Sequence, residues 1–292
     1  MTRRGEIEAS WRERLAARGL HRVEQLLDWA GDEPRLPGAW TALRKPGLGG
    51  RQRWRWELTD GRGAPPVLFM KRYERTPLRT QLDRIRRQDG GHSRGWWEYC
   101  MARELERAQI PTAAPVGYAE EMYGRLERRS VVLLAGVPGE PFDRAWRRLA
   151  SEGSALTRGP ARHDVTVRLA RFAAAFHSTG LCHRDLYLCH VFADFDAEAL
   201  RAPRFHLIDL ARVHRPRVRR MRWLIKDLAQ LDSSARQVGA SRTDRLRFLL
   251  AYLGLQRVSH RTRWYARRIV RKSDHILERH SRKSREARAL PG

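Results

Sequence analysis

Four elements in a fixed order constrain this chain more than any other feature. A glycine cluster, Gly47-Leu48-Gly49-Gly50, comes first. Lys71 follows at the end of the apolar run Leu68-Phe69-Met70. The tripeptide His183-Arg184-Asp185 comes third, with His190 five residues beyond the aspartate. Asp209, behind Leu207-Ile208, closes the series. Each alone has an ordinary explanation: a flexible loop, a strand-end lysine, a chance tripeptide, a turn aspartate that caps the next segment. Their conjunction in this order is informative, because it matches the parts that phosphoryl transfer of the kinase type requires.

The elements between them read as two lobes. Residues 1 to 33 show apolar positions at roughly helical spacing, Trp11, Leu15, Leu20, Val23, Leu27 and Trp29, which predicts an N-terminal helical segment. Residues 34–136 change character. Arg51 to Leu58 alternates like a strand, Asp60-Gly61-Arg62-Gly63 reads as a hairpin turn, and Val67 to Tyr73 as the next strand. A helix is expected over 93–109, then strands over 111–118 and 130–135, and a break at Gly136-Val137-Pro138-Gly139. Residues 137–255 turn mainly helical. Val165, Leu169, Phe172 and Phe176 share one helix face, and helices are expected over 223–237 and 241–253. Ser241 and Asp244 form a capping-box pattern for the last of these, which closes at Gly254. Residues 256–292 form a basic C-terminal helix or tail. The fold class expected is α+β, with a small β-rich lobe before a larger helical one.

Each candidate residue has a chemical reason. Glycines let backbone N–H groups approach phosphate oxygens without Cβ interference. A strand lysine neutralises the α- and β-phosphates, and a glutamate on the following helix holds it; Glu98 is the first candidate and Glu104 the second. A carboxylate beside the acceptor hydroxyl orients it and takes its proton. A second carboxylate suits Mg²⁺, a hard cation that prefers oxygen. The pairs Cys182-His183 and Cys189-His190 raise zinc as an alternative, but their spacing fits no common zinc template.

On these residues the sequence resembles the lipopolysaccharide kinase family of Gram-negative bacteria, which includes the inner-core heptose and Kdo kinases. His183-Arg-Asp-Leu-Tyr-Leu-Cys-His190 is similar to that family's form of the kinase loop, with Tyr187 two residues after the aspartate and His190 in place of the usual Asn. Ile208-Asp209-Leu210, Trp97-Glu98 through Pro111-Thr112, and Arg222-Trp223 with Lys226-Asp227-Leu228 extend the similarity over roughly residues 40 to 255. The resemblance implies a two-lobed protein-kinase-like fold that uses ATP with Mg²⁺, or Mn²⁺. It implies Asp185 as catalytic base, Asp209 as metal ligand, Lys71 on the ATP phosphates with Glu98 holding it, and Gly47, Gly49 and Gly50 over the phosphates. The backbone near Leu134 to Val137 would meet adenine. Asp227 either braces the loop from a buried helix or is a plain solvated residue. His190 either joins the metal site, orients a metal-bound water, contacts a phosphate, or is a loop histidine bonded to backbone; imidazole is a poor Mg²⁺ ligand.

Charge bears on the partner. The chain carries 59 Lys and Arg against 33 Asp and Glu, a net +26. Such a field attracts polyanions, although a bias toward arginine in a solvated surface produces the same number. Seven basic residues lie between Arg212 and Lys226, where a kinase acceptor docks. The resemblance implies lipopolysaccharide core, or another anionic glycolipid, as acceptor. Twelve basic and three acidic residues from Gln256 onward point to the anionic inner-membrane surface, or else to a solvated helix packed on the large lobe. Nucleic acid is not the expected partner. Three cysteines build no disulfide framework, and no apolar run approaches the about 18 residues of a spanning helix, so a cytoplasmic protein peripheral to the inner membrane is expected. Two rivals remain: a kinase acting on another small molecule or a protein, and an inactive kinase-fold scaffold that binds anionic surfaces.

Overall fold

The computed structural model describes residues 1–28, 36–43, 51–58, 66–195 and 203–289. Gly47, Gly49, Gly50, the Asp60–Gly63 turn and Trp29 lie outside the described residues. The chain separates into two compact units, Met1–Val137 with Asp209–Ala211, and Pro138–Ile208 with Arg212–Gly292.

The first unit is built on an antiparallel six-stranded sheet. Its strands are β1 (Thr2–Ile7), β2 (Ala39–Ala42), β3 (Arg51–Glu57), β4 (Val67–Glu74), β5 (Pro115–Tyr123) and β6 (Leu126–Ala135), in the order β1-β5-β6-β4-β3-β2. The N-terminus corrects the helical expectation for residues 1 to 33. Thr2–Ile7 pairs along its whole length with β5, and only Ile7 of the six is buried. The ladder of backbone hydrogen bonds therefore holds this edge strand, and its charged sequence shows no alternation to announce it. Among the described residues of that span, helix follows only over α1 (Ala9–Ala16), and then a 3-10 turn over Val23–Leu26. Ile7, Leu15, Leu20, Val23, Leu26 and Leu27 join Trp56, Leu58, Leu68, Met70 and Val131 in one core. Trp40 stacks on Trp56 across β2 and β3, with ring centroids 4.5 Å apart.

Strand periodicity sets the faces of β4. Leu68 and Met70 enter the core, so Phe69, Lys71 and Tyr73 point the other way. The latter side is covered by α3 (Arg94–Arg107), whose N-terminus is capped by Ser93 Oγ accepting from Trp96 N. Gly95 lets this helix come close: a Cβ there would lie 2.9 Å from the Val131 carbonyl oxygen on β6. Glu98, one turn on, is thereby brought against the sheet. Before α3 runs α2 (Leu78–Arg87). Gln81 donates to the Glu127 carbonyl at 2.7 Å, and Arg94 pairs with the buried Glu127 carboxylate at 2.9 Å.

The second unit holds β7 (Glu140–Pro141), β8 (Val191–Asp194) and β9 (Arg204–Leu207) in a small antiparallel sheet, with α4 (Phe142–Ser151), α5 (Gly159–Ser178), α6 (Arg220–Gln237), α7 (Arg242–Leu253) and α8 (His260–Ala289). Val165, Leu169 and Phe176 are buried on α5, as their shared face requires. The Ser241–Asp244 capping box starts α7 and Gly254, at φ +65°, ends it. The basic tail is helical, and Thr262, Tyr265, Ile269 and Ser273 form its buried stripe. Tyr265 and Ile269 pack with Leu228 of α6 and Leu249 of α7, and Arg236 of α6 pairs with Asp274 at 2.6 Å.

Candidate active site

The sheet unit gathers three of the expected residues. Lys71 Nζ donates to Glu98 Oε1 at 2.5 Å and to Asp209 Oδ1 at 3.0 Å. Glu98 is fully buried, and its two oxygens are spoken for: Tyr73 Oη donates to Oε2 at 3.0 Å and the Leu210 backbone N–H to Oε1 at 3.1 Å. The glutamate thus ties the lysine to the backbone immediately after Asp209. Glu104 has no part in this arrangement. Burial alone would lower the Lys71 pKa, but the charges of Asp209 and Glu98 outweigh it and hold the ammonium above the ordinary lysine value. Arg53, opposite Lys71 on β3, brings a second cation within 3.5 Å of Asp209 Oδ2. Sequence reasoning missed Arg53 and Tyr73; register across the sheet and the two-residue period of β4 are the signals that place them.

The helical unit holds the His183–His190 loop by its backbone. Asp227, fully buried on α6, accepts from His183 N at 2.6 Å and Arg184 N at 2.8 Å. Burial would raise this carboxyl, yet the donors, His177 first among them, hold its pKa below the usual range. One turn on, Gln230 accepts from Leu186 N at 3.1 Å and donates to the Arg184 carbonyl at 3.0 Å. Ser234 Oγ then accepts from Leu188 N at 3.1 Å. Positions i, i+3 and i+7 of one helix therefore take four consecutive or alternate amides of the loop. Of these, Asp227 takes the bracing role, one of the two readings the sequence left open for it. Gln230 and Ser234 were missed, although polar residues at that spacing beside Leu228 and Leu231 mark a buried polar stripe.

This clamp sustains unusual backbone. Arg184 stands at φ +72°, and in the sheet unit Asp209 stands at φ +60°; neither is glycine. Left-handed conformations of non-glycine residues cost about 1–3 kcal/mol and persist where surroundings over-determine them. Both flank or carry a predicted functional carboxylate.

Asp185 itself is partly exposed, and Arg212 Nη1 donates to both of its oxygens, at 3.0 and 2.8 Å. His190 Nδ1 bonds the Asp185 carbonyl at 2.7 Å, so one ring nitrogen orients the loop by a backbone bond, and the ring lies 5.9 Å from that of His183. For a hard cation the Asp209 carboxylate of the sheet unit is a fitting donor, and an imidazole nitrogen such as that of His190 in the helical unit is a poorer one. Among the described residues no cluster of three His, Cys, Asp or Glu side chains forms.

Among the described residues of the helical unit, cavities of two kinds open. One, of about 540 Å³, is lined largely by apolar side chains including Leu169, Leu228, Phe248, Leu249 and Ile269. The other, of about 490 Å³, is lined by Arg184, Arg212, Arg222, Lys226, Arg268 and Lys272 with Trp223 and Trp264.

Comparison with known proteins accords with this geometry. The chain is 32% identical over 164 residues to "Lipopolysaccharide core heptose(I) kinase WaaP" of Pseudomonas aeruginosa, an alignment covering 53% of this chain and 58% of that protein. It is 32% identical over 93 residues to the protein of the same name from Escherichia coli K12, covering 31% and 35% respectively. The chain therefore spans little more than half the length, or less, of these curated relatives. A solved structure titled "WaaP in complex with acyl carrier protein" superimposes with a TM-score of 0.58 at 24% identity, over 97% of this chain and 98% of that one, and shows the same kinase-like fold. The sequence profile of the lipopolysaccharide kinase (Kdo/WaaP) family matches residues 70–252, more than half of the chain. Lys71, the clamped Asp185 loop and α6 all fall within that match, and the chain belongs to the lipopolysaccharide kinase (Kdo/WaaP) family.

Proposed function

We propose that this protein transfers the γ-phosphate of ATP to a sugar hydroxyl, heptose or Kdo, of the lipopolysaccharide inner core. The observation that carries the reading is the intact buried set Lys71–Glu98–Asp209, which an inactive scaffold has no need to retain. Lys71 would bind the ATP phosphates, with Glu98 and Tyr73 fixing its position. Asp185 would orient the acceptor hydroxyl and receive its proton, held in place by the backbone clamp from α6. Mg²⁺ would be held through Asp209 and would neutralise charge on the transferring phosphoryl group. The Nδ1 bond of His190 to the Asp185 carbonyl orients the loop, and a histidine held in this way would ligate a metal through its other nitrogen. The expectation that Gly47, Gly49 and Gly50 cover the phosphates rests on the sequence alone.

The protein would work peripherally at the cytoplasmic face of the inner membrane. A net charge of +26 supports that placement, and among the described residues no helix is long and apolar enough to cross a membrane. An acyl carrier protein partner is also proposed, since the apolar cavity of about 540 Å³ has room for an acyl chain.

The test is transfer of labelled γ-phosphate from ATP into dephosphorylated lipopolysaccharide core. Asp185→Ala should lower turnover about 10²- to 10⁴-fold with the fold intact by circular dichroism. Undiminished labelling in that variant removes Asp185 from the chemistry. Label in a polypeptide instead of the glycolipid replaces the acceptor.

A further inference from the structure

The basic cavity of the helical unit has two properties that the phosphotransfer reading does not by itself require. Six of its ten lining residues are cationic, and none is acidic. Charge of one sign is not simply neutralised: among the described residues no carboxylate pairs with Arg222, Arg268 or Lys272. The cations are instead ordered on aromatic faces. Arg184, Arg222 and Lys226 lie 5.5, 5.7 and 6.0 Å from the Trp223 ring centroid, and Arg268 lies 4.3 Å from that of Trp264. Lys226 also donates to the Arg184 carbonyl, so its ammonium is held at the wall rather than ranging through solvent. Two helices supply this wall, α6 and α8, together with the loop residues Arg184 and Arg212. A volume of about 490 Å³ exceeds what one oxyanion fills and suits a sugar unit that carries one.

The second property is the double role of Arg212. It lines the cavity and it chelates Asp185 through both carboxylate oxygens. A carboxylate engaged in this way cannot present the same lone pairs to an acceptor hydroxyl. The pair is half-exposed on the arginine side, and ion pairs so open to water hold weakly. An anion in the cavity competes directly for the guanidinium, which binds oxyanions in bidentate fashion.

We infer that this cavity is a subsite for an oxyanion carried by the acceptor sugar, phosphate or carboxylate, and that its occupancy draws Arg212 off Asp185. Arg212 is thus a positioning residue: it masks the catalytic carboxylate until an anionic acceptor is seated, and it then helps to hold that acceptor. Neutral sugars and water are disfavoured as acceptors because neither lifts the mask. The gating half of this inference rests on the phosphotransfer reading; the anion site does not.

The experiment has a binding arm and a turnover arm, both on the full chain. Calorimetry at low ionic strength titrates sulfate as a phosphate mimic, free Kdo as a carboxylate sugar, and mannose as a neutral control. Sulfate and Kdo bind and mannose does not, and Lys226→Gln with Arg268→Gln lowers anion affinity at least tenfold. Arg268→Gln with Lys272→Gln, both at exposed positions of α8, gives the same direction if the Lys226 variant folds poorly. ATP hydrolysis without acceptor then rises several-fold with sulfate in the wild type. In Arg212→Gln it is already high and does not respond, while Arg212→Lys regains part of the response. Equal anion affinity in wild type and both double variants overturns the site. Hydrolysis that still rises with sulfate in Arg212→Gln overturns the gate. Absence of Lys71-dependent ATP binding overturns the phosphotransfer reading and the gate with it, and the calorimetric arm still decides the anion site.

Discussion

Lys226 shows how one side chain's surroundings set a measurable property. Burial lowers its pKa to about 8, against the favourable charge of Asp185, with Arg212 and Arg184 adding to the fall and Asp227 opposing it. Arg222, Arg268 and Lys272 face it across the same cavity. The folded pKa lies below the unfolded value of 10.5, so the unfolded chain holds more protons between those two values. Stability of the empty protein should therefore rise as pH increases from about 8 toward 10.5, and Lys226→Gln should flatten that rise in thermal unfolding. Anion binding favours the charged amine, so sulfate affinity should fall as pH passes upward through about 8 and should fall less in Lys226→Gln. Unchanged affinity from pH 7 to pH 9 would assign the anion to the cavity's other cations rather than to Lys226.

At the scale of elements, α6 decides whether the His183–His190 loop has one conformation. Asp227, Gln230 and Ser234 exchange the loop's need for backbone partners for a fixed geometry that includes a left-handed Arg184. Gln230→Leu keeps the volume but leaves the Leu186 N–H and the Arg184 carbonyl without this partner. It should cost about 1–3 kcal/mol in urea unfolding, as for a buried polar group stripped of its hydrogen bond. Turnover should fall while ATP affinity, assigned to Lys71 and Glu98 in the proposed function, is maintained. A parallel loss of ATP affinity would mean that the loop and the lysine are not separable. The helix itself was legible from its apolar spacing, and so was the capping box of α7. The clamp was legible only at Asp227, because a glutamine and a serine in a helix look the same in sequence whether they face water or a loop backbone.

At the scale of the whole molecule, charge and the fate of the last helix belong together. The apolar stripe of α8 is used against α6 and α7, so insertion of that stripe into a bilayer is not available to it as folded. What remains for a membrane is its basic surface, including Arg267, Arg268, Arg271 and Lys272, all exposed. Binding to vesicles of anionic lipid should therefore be electrostatic, strong at 50 mM salt and largely lost by 500 mM, with none to neutral vesicles. Salt-resistant binding in co-sedimentation would show that α8 leaves its place and buries apolar surface in lipid. The tail's composition permitted either behaviour; which face was already occupied is a property of the packed helices.

The sequence by itself determined the chemistry on offer. It carried Lys71, Glu98, Asp185 and Asp209 in an order that few functions require, and the apolar periods around them sufficed for α5, α6 and α7 of the second unit and most strands of the first, though not for α4. Local pattern reaches that far because burial is written into every second or every third to fourth residue. The tertiary structure alone decided what pairs with what. It made Thr2–Ile7 a strand, since an exposed edge is held by backbone groups that carry no side-chain signature. It placed Arg53 on Asp209 and Tyr73 on Glu98 through strand register and helix approach. It also set Arg212 on Asp185 at the rim of a basic cavity, a relation between residues 27 positions apart that depends on how loop and helix fold back on each other.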